Sequence, residues 1–240
     1  KKQIKLACKE DLIGMIWTDR PALPEAPIFD LPVSFAGESR GEKLSRLRNH
    51  MKEIGADYYL LASLEDSAWL LNYRGGDIQG TPVAYAYTLV GPKETVLFIE
   101  ECKVPQEMRE LLAADQIGVR PYGELPSYMQ GLEAATVALD PALINQLLME
   151  SIPSSWKIVK EDDAVIAMKA VKNETERENI RKAHVKDGAV MVRMLKWLKE
   201  TVKKQAVTEV EAAQHLDQMR CDQENSLGIS FTTIAGYGPN

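Results

Sequence analysis

Three histidines, three cysteines and a scatter of carboxylates are the side chains of this 240-residue sequence that could do metal or covalent chemistry. Their spacing limits what that chemistry can be. His50 falls in a segment of helical periodicity and reads as a partly exposed surface residue. His184 lies on the apolar side of a long charged helix and reads as a hydrogen-bonded core residue, and His215 has no second ligand one turn on. No His-Glu-x-x-His pair is present, and Cys8, Cys102 and Cys221 are too far apart to grip zinc or to make a disulfide framework. Isolated thiols of this kind fit a reducing compartment. No Gly-x-Ser-x-Gly elbow marks a serine hydrolase. "NYRGGDIQG" (72–80) has the glycines of a phosphate cradle without its lysine or its strand–turn–helix order. The acidic run Glu161-Asp162-Asp163 reads as a solvated loop. On the residues alone, this is a two-part α/β protein with no complete catalytic constellation.

Composition narrows the class further. With 45% hydrophobic and 27% charged residues the chain can bury a substantial core. Its longest mostly apolar run, Val83–Val90, is far short of the ~20 residues of a membrane helix, so no membrane partner is expected. Net charge is −6 and no basic stripe suits a phosphate backbone, which argues against nucleic acid. The basic stretch around Lys196, Lys199, Lys203 and Lys204 reads as a solvated helix face. The start has basic residues but no apolar h-region of a secretory signal.

The elements that must carry these residues are expected in three stretches. Residues 1–39 read as a proline-rich inter-domain linker, because Pro21, Pro24, Pro27 and Pro32 remove donors and favour extended geometry. Such a stretch is expected to cross a surface without entering a sheet, pinned by Trp17 and Phe29. Residues 40–162 alternate helices and strands: an amphipathic helix on Leu44, Leu47, Met51 and Ile54 capped by Gly55, a strand in "DYYLLAS", and a hairpin through Gly91–Glu94. Strands follow near Ile117, in "TVALD" and in "WKIVKE", with a helix expected from Pro141. The pattern predicts a mixed α/β sandwich. From 163 the texture changes to two long helices, capped by Asn173 with Glu176 and by Thr208 with Glu211. A closing strand is expected at Ile229–Ala235. The apolar face Ile180–Val202 is expected to seek a cover.

Several stretches carry a resemblance. "IWTDRPALP", "LASLEDSAWLLNYRGGDIQGTPV", "AMKAVKNETERENIRKAH", "TEVEAA" and "FTTIAGYGPN", in that order, are similar to the three-domain Xaa-Pro aminopeptidases of the creatinase/prolidase metallopeptidase family. The resemblance implies a creatinase-like mixed sheet flanked by helices, then the opening helices and first strand of a pita-bread catalytic domain. It implies two divalent metal ions, usually manganese, whose bridging hydroxide attacks the bond before a penultimate proline. It also implies Xaa-Pro peptide substrates, a cytoplasmic location and a homodimer. The family's metal ligands have no matching positions here. The expectation is therefore an excerpt of a longer enzyme, inactive in isolation and holding no metal. Arg74 and Asp77 are carried over as candidates for the substrate cleft or a domain contact, with a mutual salt bridge as the plainer alternative. Prolidase or creatinase chemistry, or a metal-free pita-bread protein that binds partners, are the competing readings.

Overall fold

The computed structural model describes residues 10–239; Cys8, the opening residues around it and Asn240 lie outside that range. In chain order the elements are α1 (Leu12–Ile16), β1 (Phe29–Asp30), α2 (Val33–Ala36), α3 (Arg40–Ile54), β2 (Tyr58–Leu61), α4 (Leu64–Leu70) and β3 (Tyr73–Arg74). The hairpin β4 (Ala86–Val90) and β5 (Thr95–Ile99) follows, then α5 (Gln106–Ala114), β6 (Ile117–Arg120), α6 (Leu125–Gln130) and β7 (Thr136–Leu139). α7 (Gln146–Ser151), β8 (Lys157–Lys160), α8 (Ala164–Ala170), α9 (Glu174–Thr201) and α10 (Glu209–Cys221) complete the described residues.

The main sheet has six strands in the order β6-β5-β4-β2-β7-β8. The hairpin makes it mixed, as expected: β4 is antiparallel to both β2 and β5, whereas β5/β6, β2/β7 and β7/β8 run parallel. Strand alternation sends side chains to two cores. Tyr59, Leu61, Leu97 and Ile99 face one way and pack with Leu44, Leu47 and Met51 of α3, Trp69 and Leu70 of α4, Leu112 of α5 and Val165 of α8. Leu60, Val96, Phe98 and Val137 face the other way, onto Leu125 and Met129 of α6, Leu148 of α7 and Trp156. A third, small cluster of Val190, Met194 and Leu216 holds α9 to α10.

Local chemistry explains the boundaries that were foreseen. Gly55 closes α3 with φ 69°, the left-handed region that favours glycine. Asn173 with Glu176, and Thr208 with Glu211, form capping boxes at the starts of α9 and α10.

Other expectations are corrected. The linker does enter a sheet: Phe29 and Asp30 pair antiparallel with Arg74 and Tyr73. Its anchor is Ile28, 1% exposed, whereas Trp17, with the Arg20 guanidinium over its ring, and Phe29 both stay exposed. The helix expected from Pro141 begins at Gln146, because Asn145 supplies the cap to Leu148 N–H. His184 is exposed: the buried residues of α9, Val190 and Met194, lie roughly 80–120° around the helix from it. Ile180, Leu195 and Val202 are exposed as well, so the apolar face expected to seek a cover is open among the described residues. Residues 229–235 form no strand, since they pair with no strand edge among the described residues. His50 is half-buried, with its Nε2 at 3.0 Å from Glu161 Oε1, so that member of the acidic run does have a partner.

Candidate functional site

The glycine-rich loop after α4 is where the carried-over residues sit. Asn72 turns the chain with φ 47°, and its side chain fixes the turn: Nδ2 donates to the Glu38 carbonyl at 2.8 Å and Oδ1 accepts from Lys43 Nζ at 2.7 Å. Arg74 then folds back, donating to the carbonyls of Tyr73 at 2.8 Å and Ala68 at 3.4 Å. Burial lowers its pKa, and Glu176 on α9 is one of the negative charges it feels. Asp77 does not pair with Arg74. Its Oδ2 accepts from Lys103 Nζ and from the Tyr85 N–H, both at 2.6 Å, with both partners of the ion pair essentially inaccessible to water. Asp77 is thus a buried loop anchor, and the mutual salt bridge is absent.

Two glycines let this loop approach its neighbours. A side chain at Gly75 would press on the backbone of Val83. Gly80 has φ +80° and lies against the terminal segment, where an added Cβ would meet the Ser230 carbonyl at 3.0 Å. Between the loop and that segment lies a cavity of about 510 Å³, lined by Pro27, Phe29, Gly76, Gln79, Thr81 and Ser230. A larger open cleft of about 1430 Å³ runs between α9, α10 and the same segment, with Phe35, Asn179, Lys186, Arg220, Phe231 and Ile234 on its walls.

The sheet unit and α9 meet in a polar joint. Trp69 Nε1 donates to Glu176 Oε1 at 3.1 Å, while Glu176 Oε2 caps its own helix by accepting from the Asn173 N–H at 2.8 Å. Asn173 Nδ2 donates to the Ala36 carbonyl at 2.8 Å, and Asn179 Nδ2 to the Phe35 carbonyl at 3.2 Å, so α2 is held against α9. Beneath the indole, Lys43 is 1% exposed, with Nζ at 3.9 Å from the ring centroid and 2.9 Å from the Trp69 carbonyl. Burial pulls its pKa down to about 8, partly opposed by Glu176 and Glu38. Sequence reasoning missed this lysine, because a lysine beside Leu44 on an amphipathic helix reads as surface. It found Glu176 only as a cap.

Dinuclear metal chemistry needs several converging anionic or imidazole ligands. Among the described residues no group of three or more His, Cys, Asp or Glu side chains is placed to hold a metal ion. His50 pairs with Glu161, His184 is exposed on α9, and His215 stacks on Trp197 with ring centroids 4.0 Å apart. The described residues therefore bring no ligand set for a metal pair together. Also among the described residues, no helix is long and apolar enough to cross a membrane.

Residues 19–176 match the Creatinase/Prolidase N-terminal domain, and residues 178–240 match metallopeptidase family M24. A Neurospora crassa protein named "Probable Xaa-Pro aminopeptidase P" is 34% identical over 98% of this chain, which spans 36% of that protein. The crystal structure of the X-prolyl aminopeptidase of Caenorhabditis elegans, described as a cytosolic enzyme with a di-nuclear active site, superposes with a TM-score of 0.88 at 31% identity. That alignment covers 94% of this chain and 38% of the worm enzyme. The N-terminal domain of the chickpea FACT complex subunit SPT16 shares the fold alone, with a TM-score of 0.54 at 13% identity over 79% of this chain and 50% of that one. The chain belongs to the creatinase/prolidase N-terminal domain family, and its residues 178–240 match metallopeptidase family M24.

Proposed function

We propose that these residues are the scaffold of an Xaa-Pro aminopeptidase, an enzyme that removes the residue preceding a penultimate proline. One observation carries the reading. The alignment to the Neurospora aminopeptidase runs through linker, sheet unit and helical hairpin across 98% of the chain. Fold-only relatives such as the chickpea SPT16 domain cover 79% of the chain at 13% identity, so it is the 34% identity across linker, sheet unit and hairpin that supports the reading. In this reading the 240 residues divide into a linker (1–39), a creatinase-like unit (40–162) and the opening of the catalytic domain (163–240). Two divalent ions, manganese by preference, are held by side chains other than those described, and the protein acts in the cytoplasm as a homodimer. Arg74 serves the contact between units, and Asp77 anchors the loop beside it.

The test uses the intact protein that contains this sequence. It should release the first residue of Xaa-Pro-Yaa peptides when supplied with Mn²⁺, leave Xaa-Ala-Yaa peptides uncut, and bind two metal ions per chain by elemental analysis. Residues 1–240 alone should cleave neither. An intact protein that binds no metal and cuts no peptide would sink this reading in favour of a partner-binding relative.

A further inference from the structure

Residues 229–239 pair with no strand among the described residues, yet their course along α10 is fixed at two points. Thr233 Oγ1 donates to Asp217 Oδ1 at 2.6 Å and accepts from Arg220 Nη1 at 3.4 Å. Further on, the Tyr237 N–H donates to Glu209 Oε1 at 2.6 Å. Arg220 is itself held. Its Nε and Nη2 reach the two carboxylate oxygens of Asp187 on α9 at 2.8 and 3.3 Å. Only a guanidinium fork can engage a carboxylate with two donors and turn a third toward a hydroxyl. Glu209 and Arg220 stand three helical turns apart on one face of α10, with Asp217 one turn before Arg220. Thr233 is half-buried, whereas Phe231 and Ile234 are largely exposed on the wall of the larger cleft.

We infer that Asp187, Asp217 and Arg220 are positioning residues: through Thr233 they set the course of 229–239, doing by side-chain bonds what sheet pairing does in an ordinary strand. The relay crosses three pieces of chain, from α9 through α10 to the segment, so the wall of the cleft is registered to both helices. The consequence for turnover rests on the aminopeptidase reading; the consequence for the segment's order does not.

The experiment takes the intact protein as wild type, Thr233→Val, Thr233→Ser and Arg220→Lys. Hydrogen exchange is followed in peptides covering 229–239, beside Xaa-Pro cleavage and thermal midpoint. Losing one such bond should speed exchange of these amides about tenfold in Thr233→Val and Arg220→Lys, with Thr233→Ser restoring protection. With the midpoint held, kcat should fall about fivefold to tenfold and KM stay within about twofold, as expected for an interaction that orients and does not bind. Unchanged exchange in both Thr233→Val and Arg220→Lys would overturn the inference, as would faster exchange with turnover intact. A wild type that cleaves no Xaa-Pro peptide removes the aminopeptidase reading and leaves the exchange result to decide the relay.

Discussion

The indole N–H of Trp69 donates to Glu176 at 3.1 Å, joining α4 of the sheet unit to the first turn of α9 across 107 residues of sequence. Glu176 divides its two oxygens between this bond and its own helix cap. A glutamine has one acceptor oxygen and must give up one of the two.

Trp69→Phe should therefore destabilise the chain by about 1.5–3 kcal/mol, the value of a hydrogen bond to a charged acceptor, and Glu176→Gln by a similar amount. In a double-mutant cycle followed by urea unfolding, the two changes should fall short of additive. Additive losses would show that the bond contributes nothing to the joint.

Lys43 gives the joint a pH dependence. Its folded pKa of about 8 lies below the unfolded value near 10.5, so the unfolded chain binds more protons between those limits. Stability relative to Lys43→Met should rise as pH increases from 8 to 10.5, by up to about 3 kcal/mol, and be lost again as pH falls through 8. Unfolding curves for both proteins across that range measure the difference. Glu176, Glu38, Arg74 and Arg46 are the charges that bear on the amine and must stay intact in both.

Asp163 has the opposite sense. Burial raises its pKa to about 6 even though its Oδ1 caps α8 through the Val165 N–H. The folded state then binds more protons than the unfolded chain between 3.8 and 6, so the stabilisation present below pH 3.8 is lost as pH rises through 6. Asp163→Asn keeps the capping oxygen without the charge. It should be more stable than wild type at pH 7.5 by up to about 2–3 kcal/mol, with the gap closing toward pH 4 in thermal melts.

Gly80→Ala tests how closely the loop must approach the terminal segment. Gly55→Ala serves as the control: φ is +69° there, but nothing stands near the added methyl. Each carries the left-handed penalty of about 1 kcal/mol, and Gly80→Ala adds the clash with Ser230. The Gly80 variant should lose more stability and expose 227–230 to protease, whereas the Gly55 variant should only melt earlier.

What the sequence made legible was local. The turn at Gly55, the hairpin through Gly91 and the two capping boxes depend on residues three or four positions apart, and each forms as read. The partners of Asp77 and Trp69 come from residues 26 and 107 positions away, distances at which pattern carries no information without the fold. Residues 229–235 failed differently: their β-rich composition was read correctly, but a strand is defined by the edge it pairs with.

Lys103 ties together three separate pieces of chain. Its carbonyl accepts from the Ile28 N–H at 2.8 Å, and its ammonium reaches Asp77, whose carboxylate also takes the Tyr85 N–H. A single cut between Gln79 and Gly80 would leave Asp77, near one new end, bonded to Lys103 and Tyr85 of the other fragment, beside the pairing of β2 with β4 and β7. The nicked chain should therefore migrate as one particle on sizing and come apart only in denaturant, a rivet that outlasts the thread it was set in.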